Sequence, residues 1–439
     1  MSTPLGLNYW RLWTASVISN LGDGMSGVAY PWLASAVTRN PLHIALVGVA
    51  TRLPWLVFSL PAGVITDRMD RRRLVVAMDA LRAAVTIAVA VVVLVYQSEL
   101  SSPESIASGE ALPPAGAGVL LAVLYISAGL FGLAEVLRDN AAQTLMPSVV
   151  SKDNLEKANG RLWGAEMITN SFIGPPLGGF LLAVAFSLPF FVDAGTFAVS
   201  AAMVAFLAGT FRPQVRDSAA PRPSFAVDLK EGFRWLWNHR LLRTLAIVLG
   251  LLNAAGSATQ ATMVLFAQEV LNLDATGFGL LASAGAVGGI LGSFGASAVS
   301  KALGPGPSLA GTFVVGIGTS IAIGLTSSAT LVWAMFAIGT FSAIVWNVIT
   351  VSLRQAIIPD HLLGRVNSVY RFFGWGMMPI GIFIGGLLVQ IVSGLADRDI
   401  GLRTPFFAAA VVELALMAYA LPRLTTSKIE AARAAGDGS

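Results

Sequence analysis

Long apolar segments alternate with short polar connections along nearly the whole chain. An apolar helix needs about 20 residues to cross the hydrocarbon core of a bilayer. Several segments contain glycine or proline, which membrane helices tolerate. The pattern therefore predicts an all-α membrane protein with twelve transmembrane helices, at 9–37, 42–66, 74–97, 118–144, 155–184, 188–211, 242–270, 276–302, 308–326, 330–357, 363–392 and 401–421.

Composition agrees with a lipid bilayer as the main surrounding. Of the 439 residues, 55% are apolar and only 12% are charged, whereas soluble domains carry about 25% charged residues. The basic residues behind the formal charge of +4 lie in loops between apolar segments, so they report on membrane orientation, and no nucleic-acid partner is expected. Cysteine is absent, which excludes disulfides, thiolate catalysis and cysteine-bound metals.

The distribution of basic residues predicts the orientation of the chain. Loops that hold most of the lysine and arginine alternate with loops that hold little, and the connection at 98–114 has three glutamates and no basic residue. The positive-inside rule then places both termini in the cytoplasm of a multi-pass protein of the cell (inner) membrane. The first apolar segment is too long for the core of a signal peptide, so we expect an uncleaved span.

Short internal echoes predict two related halves. The stretch from Gln143 to Pro147 recurs as Gln355 to Pro359, and Gly178-Gly179 recurs as Gly385-Gly386. We expect an N-terminal six-helix half at 1–211, a C-terminal six-helix half at 242–424, and a cytoplasmic tail at 425–439. The linker at 212–241 should carry a short helix in the membrane interface, with a solvated linker helix as the alternative.

The polar turn at 63–73 carries the most specific motif. It resembles the loop after the second span of major facilitator superfamily transporters, whose pattern is Gly-x-x-x-Asp-Arg-x-Gly-Arg-Arg. Asp70 stands where the second glycine is usual. The resemblance implies a latch in which the acid engages the positive N-terminus of span eleven near 363–365. The matching residues, which would form the latch, are Gly63, Asp67, Arg68, Arg71 and Arg72.

A second motif lies in span five, where Gly174, Pro175, Gly178 and Gly179 resemble the Gly-Pro-x-x-Gly-Gly pattern of proton-coupled antiporters in this superfamily. Glycines four residues apart share a helix face and allow close helix packing. Generic membrane packing is the alternative. Short stretches in spans one and six resemble the bacterial branch that contains macrolide, multidrug and siderophore exporters. The resemblance implies two pseudo-symmetric halves that work by alternating access.

Charged side chains inside apolar segments are candidates for proton coupling, because burying them in a membrane is costly. Asp23 in span one and Arg52 in span two lie at similar depth, so we predict that they pair. A static ion pair that only fixes packing is the alternative. Glu135 and Glu166 also lie at similar depth, and two neighbouring carboxylates favour protonation of one of them. A permanent basic partner for either is the alternative.

These observations favour a proton-driven efflux antiporter of amphiphilic small molecules, such as drugs, macrolides or siderophores. No phosphate-binding loop or hydrolase motif is present, so we expect a non-enzymatic, monomeric transporter with no cofactor beyond the proton gradient. An importer or uniporter of a defined solute, or a non-transporting membrane sensor, remains an alternative. Candidate substrate-binding residues are Trp32, Phe266, Trp346 and Arg371.

Overall fold

A computed structural model describes residues 5–66, 68–101, 105, 114–209, 211 and 225–437. All regular elements within these ranges are helical. The helices are α1 (Gly6–Val37), α2 (Pro41–Thr66), α3 (Arg71–Val95), α4 (Ala117–Val149), α5 (Leu155–Met167), α6 (Gly174–Val184), α7 (Leu188–Ala205), α8 (Phe225–Asn238), α9 (Arg240–Gln260), α10 (Met263–Glu269), α11 (Ala275–Ala282), α12 (Ala284–Leu303), α13 (Pro305–Leu325), α14 (Ala329–Ile357), α15 (Asp360–Leu395), α16 (Arg398–Ala420) and α17 (Thr426–Asp437).

Each of the twelve predicted spans corresponds to helix in the structure, which confirms the predicted all-α membrane fold. Among the described residues, eleven helical segments are long and apolar enough to cross a membrane. Helix α1 is not among the eleven, because serine, asparagine and aspartate interrupt its apolar pattern. Its 32 residues would still extend about 48 Å at 1.5 Å per residue.

Three of the predicted spans are interrupted rather than continuous. A π-helical stretch at Ile168–Ile173 separates α5 from α6, directly before the two prolines of the span-five motif. Span seven is divided into α9 and α10, and span eight into α11 and α12. Such π-helical turns occur frequently at functional sites.

The helices form two compact units, and each unit contains two separate segments of the chain. The first unit contains 1–216 and 263–283, and the second contains 217–262 and 284–439. Helices α10 and α11, which the sequence assigns to the C-terminal half, therefore pack in the first unit. The predicted division into halves, linker and tail remains a prediction.

In the first unit, α3 packs between α4 and α7, and α1 packs along α6 and α7. Helix α2 lies on α4, and α11 lies on α6. An apolar cluster closes one end of this unit, with Tyr9, Leu12, Leu74, Leu145 and Phe211 among its members. This packing leaves the middle of α1, α3, α4 and α7 facing one another.

The second unit is built around the pairs α9–α15, α12–α14 and α13–α16. Its core is a large apolar cluster that includes Leu242, Trp346, Leu353 and Tyr370. The linker helix α8 packs on α15, where a Cβ added at Gly232 would lie 2.8 Å from the Arg365 backbone.

Candidate functional site

A cluster of charged side chains lies inside the first unit. Asp79 and Arg82 are one turn apart on α3, and both side chains are completely buried. Arg82 forms an ion pair with Asp23 of α1, and its other nitrogen, Nη1, lies 3.5 Å from Asp79 Oδ1. From α4, Arg138 Nε also lies 3.5 Å from Asp79 Oδ1. The Ser200 hydroxyl of α7 donates to Asp79 Oδ2 at 2.7 Å.

The Arg82 guanidinium is also held by aromatic rings. Its carbon lies 3.9 Å from the Phe197 ring centroid and 4.5 Å from that of Phe131. Ser19 accepts from Arg82 Nη1 at 3.2 Å. Cation–π contacts stabilise a guanidinium most when it is removed from water. Arg82 is therefore the centre of the cluster, with partners on four helices.

The predicted Asp23–Arg52 pair is wrong, because Asp23 pairs with Arg82 instead. Equal depth along two consecutive spans does not determine which faces of the two helices meet. Helix α1 packs mainly along α7, α6 and α4, and α3 presents Arg82 to it. Arg52 lies half-buried on α2.

Glu135 and Glu166 have different surroundings. The Trp55 indole nitrogen donates to Glu135 Oε2 at 3.4 Å. Glu166 is only partly buried, and the charges that act on it most are Arg138 and Asp139. Arg138 thus connects the surroundings of Glu166 to the central cluster.

The arginines of the 63–73 motif bind the ends of neighbouring helices. Arg71 Nη1 donates to the Thr144 carbonyl at 3.1 Å, and Arg72 Nη1 donates to the Leu207 carbonyl at 2.7 Å. Both carbonyls lie near the C-terminal ends of their helices, where the helix dipole favours cations. Arg68 is exposed, open space surrounds Gly63, and Asp67 lies outside the described residues.

Asp70, which departs from the family pattern, has a clear local role. Its side chain accepts from the Arg73 backbone nitrogen at 3.1 Å and so caps the N-terminus of α3. An aspartate at this position satisfies a backbone N–H that the helix leaves unpaired.

The span-five motif packs backbone against backbone on two sides of α6. A Cβ at Gly174 would lie 2.7 Å from Gly24 Cα, and one at Gly178 would lie 2.8 Å from the Met25 carbonyl oxygen. On the other side, a Cβ at Gly179 would overlap the Ala275 carbonyl of α11. The Pro175 carbonyl occupies the corresponding space beside Gly279.

The candidate substrate-binding residues are divided between the units. Trp32 and Phe266 are buried in the first unit, where the Trp32 ring lies 5.8 Å from that of Phe278. Trp346 is buried in the second unit against Phe313, and Arg371 of the same unit is exposed.

Sequence reasoning missed two arrangements in the first unit. Asp79 and Arg82 were overlooked, although an aspartate and an arginine three residues apart in a long apolar segment are a recognisable signal. The second arrangement joins α1 to α10. Arg39 pairs with Glu269 and donates to Gln268 Oε1 at 2.6 Å, and Gln268 Nε2 donates to Ser35 at 2.8 Å.

The buried cluster of ion pairs lies on a scaffold of long apolar helices, as expected for a transporter of the major facilitator superfamily. A bacterial homologue of the human lysosomal transporter Spinster has the same fold, with a TM-score of 0.69 at 13% identity, over 96% of this chain and 97% of that one. The model of the transmembrane secretion effector family of this superfamily matches residues 3–434, so the chain belongs to that family. It is thus a membrane transporter rather than an enzyme.

Curated relatives cover almost the full length of the chain. The multidrug efflux pump Tap of Mycolicibacterium fortuitum is 28% identical, over 93% of this chain and 94% of its own. The enterobactin exporter EntS of Citrobacter koseri is 26% identical, over 92% of this chain and 89% of its own. The predicted resemblance to the exporter-like branch is confirmed.

Proposed function

We propose that this protein is a proton-coupled exporter of amphiphilic small molecules that works by alternating access. The observation that carries the proposal is the ion-pair cluster of Asp23, Asp79, Arg82 and Arg138 inside the first unit. Export and the amphiphilic substrate class are supported by the relatives, which are named as a multidrug pump and an enterobactin exporter.

Asp23 is the carboxylate of this cluster that is best placed to exchange protons. Its side chain is 16% exposed, whereas those of Asp79 and Arg82 are completely buried. When Asp23 binds a proton it loses its charge attraction to Arg82, which still has Asp79 as a partner. A conformational change that separates α1 from Arg82 then becomes less costly, and this difference links proton binding to the transport cycle.

The test is gradient-driven substrate accumulation in proteoliposomes. We expect Asp23→Asn to abolish accumulation driven by a pH gradient while substrate binding persists. Asp399→Asn removes a 54% exposed carboxylate from an ion pair with Arg403 and is the matched control. Glu166→Gln tests the runner-up. Full accumulation in Asp23→Asn with loss in Glu166→Gln would move the coupling role to Glu166.

The proposal includes several supporting roles. Gly63, Asp67, Arg68, Arg71 and Arg72 would form the cytoplasmic latch, with Arg71 and Arg72 anchoring the loop to α4 and α7. The glycines and Pro175 of α6 would allow helices to move at close contact. Glu135 and Arg52 would contribute to the electrostatic potential around the cluster. The aromatic candidates, together with Arg371, would contact substrate. The protein would act as a monomer with both termini in the cytoplasm.

A further inference from the structure

Asp193 of α7 is a buried carboxyl that the proposed cycle does not use. Its side chain accepts a hydrogen bond from Ser26 of α1, with 2.5 Å between Ser26 Oγ and Asp193 Oδ2. Only 1% of the residue is exposed. Gly22 of α1 leaves the space that the carboxyl occupies, because a Cβ there would overlap Asp193 Oδ1. The site is thus built from both helices.

The other carboxylate oxygen contacts the Thr196 hydroxyl, which makes its shorter contact with the Asp193 backbone carbonyl. Thr196 Oγ1 donates to the Asp193 backbone carbonyl at 2.7 Å and also lies 3.3 Å from Asp193 Oδ1. A hydroxyl carries one hydrogen and two lone pairs. With the Thr196 hydrogen on the carbonyl, the contact to Oδ1 is satisfied when Oδ1 itself carries a proton and donates to Thr196.

No cation pairs directly with Asp193 among the residues that the structure describes. Of the titratable side chains on the helices packed against α7, Tyr30 of α1 and Arg82 of α3 interact electrostatically with Asp193. Helix α6, which also packs on α7, has no titratable side chain. Arg82, the cation with the strongest action on Asp193, is already paired with Asp23 and Asp79.

The charges of the interior therefore do not balance if every carboxyl is ionised. Asp23, Asp79 and Asp193 contribute three negative charges, and Arg82 and Arg138 are the only basic side chains buried with them among the residues that the structure describes. Arg138 is further engaged by Asp139 at 3.4 Å. An unpaired buried charge is very costly, and a titratable group in that position takes up a proton instead.

We propose that Asp193 is a second proton-binding residue of the first unit, which holds its proton as a neutral carboxylic acid and so leaves Arg82 to pair with Asp23. Asp193 would act as a positioning residue for the proposed coupling, and this role rests on the proposed function. An ionised Asp193 would compete with Asp23 for Arg82. Gly22 and Asp23 are adjacent on α1, so the helix segment that carries the Asp23 carboxyl also borders the Asp193 carboxyl.

The test is infrared spectroscopy of the full-length protein in lipid at neutral pH, without substrate or gradient. We expect the carbonyl band of a protonated carboxylic acid in the wild type, reduced in Asp193→Asn and unchanged in Asp399→Asn, which removes an exposed carboxylate outside the cluster. Wild-type and Asp193→Asn spectra that differ in the ionised-carboxylate bands instead would overturn the proposal. Because no transport is measured, this outcome is independent of whether the protein is a proton-coupled exporter.

Ser26→Ala provides a second measurement that keeps Asp193 itself and does not depend on the folding of Asp193→Asn. Loss of the Ser26 donor removes a hydrogen bond from the acid and should shift its carbonyl band to higher frequency. Ser35→Ala on the same helix, whose hydroxyl bonds to Trp32 and Gln268, is the matched control. A band that Ser26→Ala leaves in place would mean that the proton lies elsewhere.

Discussion

The interiors of the two units differ in the kind of side chain that they bury. All the charged residues that are fully buried in the described part of the chain lie in the first unit: Asp79, Arg82, Arg138 and Asp193. The second unit buries leucine, isoleucine, Trp346 and Tyr370 in their place. The ion pairs Arg365–Glu231 and Arg403–Asp399 of the second unit each include a carboxylate that is at least half exposed.

This difference indicates that the two units have different roles. Buried charges reduce stability unless they are paired, so natural proteins keep them mainly where a function needs them. An apolar interior provides packing energy without any response to protons. We infer that the first unit carries the energy coupling and that the second unit contributes mainly shape and substrate contacts. The predictions below test this asymmetry, from the largest expected effect to the smallest.

Removing the central cation should damage the first unit severely. Arg82→Ala leaves Asp23 and Asp79 without their shared partner, and such a loss typically costs about 3–5 kcal/mol. The counterpart in the second unit is Arg354→Ala, where the guanidinium lies 4.2 Å from the Tyr370 ring and a cation–π contact contributes about 0.5–2 kcal/mol. Thermal unfolding of purified protein measures both. Equal losses would remove the asymmetry.

Close glycine packing, in contrast, should matter equally in both units. A Cβ at Gly24 would overlap the Asn170 carbonyl of the π-helical stretch, and one at Gly381 would overlap the Ala254 carbonyl of α9. Overpacking of this kind costs about 1–3 kcal/mol, so Gly24→Ala and Gly381→Ala should both lower the melting temperature.

Each of these glycines has a control on its own helix. A Cβ at Gly27 of α1 or at Gly394 of α15 meets nothing within 4 Å. Gly27→Ala and Gly394→Ala should be neutral or slightly stabilising, because alanine is the better helix former by about 1 kcal/mol. Destabilisation by the controls as large as by Gly24→Ala would show that backbone contact is not the cause.

Acid should also affect the second unit at the N-terminal cap of α9. His239 caps α9 by accepting from the Leu242 nitrogen, and burial lowers the pKa of His239 below its ordinary value. The neutral cap therefore stabilises fully above about pH 6.5 and is lost as the pH falls through the folded-state pKa. The loss should be about 1 kcal/mol, as for other caps.

The measurement is the melting temperature against pH for the wild type and His239→Asn, since asparagine caps a helix without titrating. The stability of the wild type relative to His239→Asn should fall on acidification. A difference that stays constant with pH would mean that the His239 nitrogen does not act as the cap.

The smallest effect is expected at the linker helix. Glu231 pairs with Arg365 at 2.6 Å, but the two side chains are 50% and 32% exposed. Exposed pairs contribute about 0.2–1 kcal/mol, so Glu231→Gln should change the melting temperature little and lose its effect at high salt. A loss comparable to that of Arg82→Ala would indicate that α8 docking is critical to the second unit.

The span boundaries were predictable because a long apolar segment in a membrane has few alternatives to helix. The turn at Asp70 and the small-residue faces of α6 and α15 could also be recognised from local sequence. In the structure, the face of α6 packs against α1 and the face of α15 packs against α9. The partner of Asp23 could not be predicted in this way. Depth follows from counting residues, but the facing of two helices depends on packing over the whole unit.

Local sequence patterns also could not predict that residues 263–283 pack in the first unit. This packing depends on contacts such as Gly179 with Gly279 and Arg39 with Glu269, which are about 100 and 230 positions apart in sequence. The packing of residues 263–283 in the first unit affects how chimeras of related transporters should be designed. A chimera that joins the first six spans of this chain to the last six of a relative at 28% identity separates these residues from the partners with which they fit. A crossover that transfers 263–283 together with the first six spans keeps the native pairs intact, and such hybrids should reach the membrane in greater amounts.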